Sequence, residues 1–121
     1  MEDISSNNLA YVGDAVVELL VRRSLVLGNG SLKNPSEEAV GYVSAAAQSD
    51  AFSRIEPLLT EEETDVYKRA RNNYHGANVP KSASALQYRR STGFEAVFGY
   101  LYLKGDRERL EELFNIAYGL K

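Results

Sequence analysis

Two carboxylates stand apart from the other acids of this 121-residue chain. Asp14 sits beside Gly13 inside the apolar run "NNLAYVGDAVVELLVRR", residues 7–23, and Glu95 follows Phe94 in "GFEAVFGYLYL", residues 93–103. A charge set among apolar side chains is unfavourable unless water, a partner or a metal ion answers it. If the two segments are helices that cross, Gly13 and Gly99 are places where backbones can approach closely, and the acids converge. Paired oxygens from facing helices suit a hard divalent ion such as magnesium, which takes a few carboxylates and keeps several waters. A hydrolytic metal site is the chemistry this arrangement permits.

Plainer roles are open to the same residues. Asp14, Glu18 and Arg22 recur at i, i+4 and i+8, the spacing of a solvent stripe with a Glu18–Arg22 ion pair. Thr92-x-x-Glu95 has the form of a capping box, in which the glutamate bonds a helix-end amide. Spacing by itself favours these roles, because caps and surface pairs are commoner than metal sites. His75 and Tyr74, in the polar loop "NNYHGANVP", read first as solvated or packing residues.

The elements that must position the acids read as helix after helix. A first helix spans residues 7–27, apolar around most of its circumference, and "GNG" at 28–30 stops it. Pro35 and Ser36 open a second, with an apolar face of Val40, Val43, Ala47, Ala51 and Ile55, closed by Pro57. Thr60 and Glu63 form a capping box for a third helix over 61–72. After the loop comes a short helix near 82–89, then a fifth begun by Ser91 or Thr92. "KGD" separates that one from a last helix in "RERLEELFNIAYGL". No segment alternates long enough for a strand, and no internal repeat is visible. The expected fold is an all-α helical bundle.

Length bounds the chain to one domain, residues 1–121, so specificity and chemistry share one fold. The absence of cysteine excludes thiolate metal sites and a Cys nucleophile, and a lone histidine excludes a His pair or a multi-His zinc site within one subunit. No apolar run approaches the roughly 20 residues of a membrane span. The start "MEDISS" lacks an export pattern, and a cytoplasmic location is expected.

The formal net charge is −3, but it is unevenly placed. Between Val66 and Phe94 lie Lys68, Arg69, Arg71, Lys81, Arg89 and Arg90 without one Asp or Glu, so this stretch is +6 and the remainder, by subtraction, −9. Clustered cations of this kind suit a phosphate backbone. Uneven charge on a solvated face is the other explanation.

Beyond composition, "YVGDAVVELLVRRSL" resembles the signature of the ribonuclease III family, and "STGFEAVFGYLYL" is similar to that family's second signature. "VSAAAQSDAF", "RARN" and "VPKSASALQYRRST" resemble the Mini-III branch, which consists of the catalytic domain without a double-stranded-RNA-binding domain. The resemblance runs over nearly the whole chain. It implies a dimeric, ribonuclease III-like helical domain in which Asp14 and Glu95 are catalytic and hold magnesium. The implied reaction is hydrolysis of double-stranded RNA, leaving a 3′-hydroxyl and a 5′-phosphate. The implied role is maturation of the precursor of large-subunit (23S) ribosomal RNA, with room for a ribosomal-protein helper.

Two departures accompany it. Longer family members place a glutamate where this chain has Ala10 and an aspartate where it has Thr92, which implies fewer carboxylates on the metal, with water completing its shell. Glu37 and Glu38 lie near, but do not align with, a further family acid on the second helix. Contacts to sugar and phosphate are expected of Arg69, Arg71, Asn72 and Asn73 before the loop and of Lys81, Arg89 and Arg90 after it. Two other readings compete. One is a ribonuclease III-like RNA-binding module, catalytically weak or inactive for want of the Ala10 and Thr92 acids. The other is a helical protein-interaction domain whose basic loop meets an acidic partner.

Overall fold

The computed structural model describes residues 4–29, 35–73 and 84–119, and among these every regular element is helical. The helices are α1 (Ser6–Asn29), α2 (Pro35–Val43), α3 (Ala45–Ile55), α4 (Glu61–Asn72), α5 (Ala85–Lys104) and α6 (Arg107–Tyr118), with a 3₁₀ turn at Glu56–Leu58. Ser5 Oγ accepts from the Asn8 amide at 3.2 Å and begins α1. α1 and α5 form the most extensive packing pair, and α5 also meets α3, α4 and α6. α5 is therefore a central helix. Its run Phe94, Ala96, Val97, Phe98 and Leu101 is buried among Val17, Val21, Phe52, Leu113 and Phe114.

Two boundaries differ from those expected. The predicted second helix is two helices, because Ser44 turns extended (φ −62°, ψ 158°) and its side chain accepts from the Ala47 amide as a new N-cap. The break turns Val40 outward, while Ala51 and Ile55 stay in the core. The predicted short helix and fifth helix are one. Ser84 and Gln87 form a reciprocal capping box, and α5 runs unbroken to Gly105, whose φ of 84° ends it in the left-handed region.

α4 starts as expected, with the Thr60–Glu63 capping box present. Glu63 does more than cap. It is buried, and Arg109 of α6 donates to both its oxygens at 2.9 and 2.8 Å while also reaching the Leu58 carbonyl at 2.8 Å and Glu112 at 2.7 Å. Burial pushes the Glu63 carboxyl up, but the Arg109 and Thr60 bonds outweigh it and hold the group below its usual value. A carboxyl depressed on folding contributes stability above its unfolded pKa and loses it as pH falls through the folded one. Glu63→Ala, which strands a mostly buried guanidinium, is expected to lower unfolding free energy by about 3 kcal/mol at pH 7. Urea melts should show this loss narrowing on acidification below the unfolded-state value; a loss independent of pH would refute the assignment.

Other ties close the bundle. Arg23 of α1 makes a two-pronged pair with Glu111 of α6 at 2.9 and 2.7 Å, and Arg54 of α3 donates to the Ala117 carbonyl at 2.7 Å. No described helix is long and apolar enough to cross a membrane.

Candidate metal centre and nucleic-acid interface

The place where α1 meets α5 has no side chain in it. A Cβ built on Gly13 would lie 1.6 Å from the Glu95 carbonyl oxygen, and one built on Gly99 would lie 2.0 Å from the Leu9 carbonyl oxygen. The helices touch backbone to backbone. Asp14 is the residue after Gly13, and Glu95 is one turn before Gly99, so the crossing delivers both acids to one point.

Their carboxyls lie within hydrogen-bonding reach of each other. Asp14 is exposed, whereas Glu95 is half-buried. Burial foremost, then the Asp14 charge and hydrogen bond and a lesser contribution from Glu18, raise the Glu95 pKa from 4.5 to about 8. Gln48 of α3 opposes this by offering a hydrogen bond. At neutral pH the Glu95 carboxyl therefore keeps its proton.

The plainer roles can now be compared with the geometry. Glu18 does pair with Arg22 at 2.7 Å, as the solvent stripe requires. The Thr92 cap is absent: Thr92 lies mid-helix and its hydroxyl donates to the Tyr88 carbonyl at 3.0 Å. Glu95 is thus free of capping duty. Ala10 is buried in α1 and offers no oxygen.

The donor set fits a divalent cation. Two carboxyls held together, one of them pushed up by burial and by the other's charge, are the electrostatic situation that a positive ion relieves, and all the donors are hard oxygens. Among the described residues no group of three Asp, Glu, His or Cys is placed to hold a metal ion, so protein oxygens alone would leave most of the shell to water and phosphate. Asp14 also lines an open groove of about 690 Å³ with Tyr11, Glu18, Leu19 and Tyr102. A larger depression of about 890 Å³ between α4, α5 and α6, lined by Glu61, Lys68, Tyr100 and Arg109, is reached by neither acid.

A hundred consecutive positions, residues 7–106, match the model of the Ribonuclease III domain. Curated relatives named Mini-ribonuclease 3 are 48% identical in Symbiobacterium thermophilum, over 90% of this chain and 84% of the relative. In Streptococcus pneumoniae one is 46% identical over 87% and 84%. The chain belongs to the Mini-ribonuclease 3 branch of the ribonuclease III family. A crystal structure of a Fusobacterium nucleatum protein superposes with a TM-score of 0.85 at 29% identity, covering 96% of this chain and 93% of that one.

In this Mini-ribonuclease 3 chain the basic residues fall into two groups. Arg69 and Arg71, with Asn72 and Asn73, close α4. Arg69 is exposed beside Asp65 (3.2 Å), and Arg71 lies 5.5 Å from the Tyr67 ring centre and donates to Asn72 at 3.1 Å. Asn73 donates to Asn7 of α1 at 3.2 Å. Asn7 precedes Asp14 by seven residues, two turns or roughly 10 Å along one helix face. This bond ties the basic end of α4 to α1 two turns before Asp14, and Asn7 has no local sequence signal because its partner sits on another helix.

Arg90 departs from the expectation of a phosphate ligand. Its guanidinium lies over the Phe52 ring and donates to the Ser49 carbonyl and Ser53 Oγ at 3.2 and 2.6 Å, bracing α5 against α3. Arg89 is exposed. Glu37 and Glu38 are exposed on α2. Lys81, Tyr74 and His75 lie outside the described residues.

Proposed function

We propose that the chain is a magnesium-dependent, double-strand-specific endoribonuclease acting on the precursor of 23S ribosomal RNA. The convergence of Asp14 and Glu95 at a backbone-to-backbone crossing is the observation that carries this reading. It is supported by membership of a branch whose curated relatives are named ribonucleases. Asp14 and Glu95 would hold the ion, which when bound supplies Lewis-acid activation of phosphate and water. The chain's own part is to fix two oxygens at one point, to give up the Glu95 proton, and to align a duplex.

Alignment falls to Arg69, Arg71, Asn72, Asn73 and Arg89. A-form RNA shows 2′-hydroxyls and phosphates rather than readable base edges, and guanidinium and amide groups match those partners. No side-chain nucleophile is needed. Two-strand cleavage would follow from a homodimer with one site per subunit. Tyr11 and Leu19 are 81% and 64% exposed on the α1 face beside Asp14, apolar area that a second copy would cover. A monomeric mass in light scattering under conditions where the protein cleaves RNA would end that part of the reading.

Incubation of wild type and Asp14→Asn with long duplex RNA, with and without magnesium, tests the whole. Magnesium-dependent cleavage that Asp14→Asn lowers by about a thousandfold is expected, given the several kcal/mol such ions contribute. Duplex binding without cleavage by wild type would instead favour an RNA-binding module, the reading that the two-acid donor set keeps in play.

A further inference from the structure

Gln48 is the polar side chain that the bundle has least reason to contain. It is 1% exposed on α3, adjoining a core of Ala51, Phe52 and Val97, where an aliphatic residue would satisfy packing. A buried primary amide brings two donors and an acceptor that all need partners. Its Oε1 accepts from Ser91 Oγ on α5. That bond fixes the amide plane and turns Nε2 the other way.

Ser91 and Glu95 are four residues apart on α5 and so share a face. Nε2 comes near enough to the Glu95 carboxyl to favour its anion, yet it makes no hydrogen bond of good geometry. A buried donor without a hydrogen bond of its own, held beside the Glu95 carboxyl, is in position to bond one of that group's oxygens. We infer that Gln48, oriented by Ser91, is a positioning residue that holds the Glu95 carboxylate in the attitude required for the cation. The inference rests on the magnesium-dependent reading of the site.

Glu95 has two polar neighbours, Asp14 of α1 and Gln48 of α3. The Gln48 N–H would hold one Glu95 oxygen and fix the torsion of the carboxylate, leaving the other oxygen for the cation. Outer partners of this kind change metal affinity by roughly 10- to 100-fold.

Gln48→Leu and Ser91→Ala test it, the second leaving the Gln48 side chain in place and only unfastening it. Two readouts are taken against magnesium concentration: the rise in melting temperature of the protein alone, and cleavage of duplex RNA. Gln48→Leu is expected to melt near wild type without metal and to need about tenfold more magnesium for the half-maximal rise. Cleavage should shift equally, with the rate at saturating magnesium changed far less than the midpoint. Ser91→Ala should shift in the same direction by a smaller factor, and it decides the matter if Gln48→Leu does not fold. A wild type that responds to magnesium while a folded variant has the same midpoints overturns this inference alone. A wild type without any magnesium response overturns the parent reading, and this inference with it.

Discussion

Glu95→Gln should be more stable than the wild type in the absence of metal at pH 8, and should cleave duplex RNA at least a thousandfold more slowly. The first half follows from linkage. The Glu95 pKa rises from 4.5 to about 8 on folding, so between those values the native state binds more protons than the unfolded chain. Stability of the metal-free wild type is then greatest near or below pH 4.5 and falls as pH climbs to 8. Each unit of such a shift corresponds to about 1.4 kcal/mol. Glutamine carries no proton to lose, so the variant escapes this decline, which is at most about 4 kcal/mol by pH 8. With solvent screening of the half-buried group it should gain about 2 kcal/mol there but little at pH 4.5. For a domain of this size that is a rise in melting temperature of roughly 10 °C.

The second half follows from the role proposed for Glu95 in holding the cation, since an amide does not balance a cation's charge. Thermal melts across pH, with and without magnesium, check both. The wild type should gain stability from magnesium and the variant should not. A variant that melts below wild type at pH 8 would mean that the two acids do not strain each other.

The second large effect concerns the crossing itself. Gly13→Ala should lower unfolding free energy by more than about 3 kcal/mol, at or beyond the upper end of overpacking changes, because the clash is with backbone and no rotamer can relieve it. The methyl would meet the Glu95 carbonyl and force α1 away from α5, drawing Asp14 from Glu95 as it does so. Activity should therefore fall even in the folded fraction. Gly41→Ala is the control: its Cβ meets nothing within 4 Å on an exposed stretch of α2, and higher helix propensity should stabilise by about 0.5–1 kcal/mol. Equal urea midpoints for Gly13→Ala and wild type would show that the helices do not touch as described.

Much of this was readable in the chain. Gly13 and Gly99 marked where two helices could approach closely, though spacing by itself favoured a surface stripe and a cap for Asp14 and Glu95; that the helices do cross there is what brings the acids together. The α4 capping box was equally plain, because Thr60 and Glu63 act over a single turn. Less legible was whatever depended on neighbours distant in sequence. Ser91-Thr92 looks like a helix start, yet Ser84 and Gln87 have already begun α5, so the two hydroxyls turn to Gln48 and the Tyr88 carbonyl instead. Arg90 reads as one more surface cation until Phe52, Ser49 and Ser53 are brought beneath it. Gln48 and Asn7 carry no local signal because their partners sit on other helices.

Because peptide groups rather than side chains fix how near α1 comes to α5, the separation of the two acids is insulated from the identity of the surrounding core. Substituting Val17, Val97 or Phe98 by other apolar residues should alter how firmly the bundle holds while the spacing of the two carboxyls stays the same. Core substitutions should therefore move melting temperature without moving the two carboxyls relative to each other.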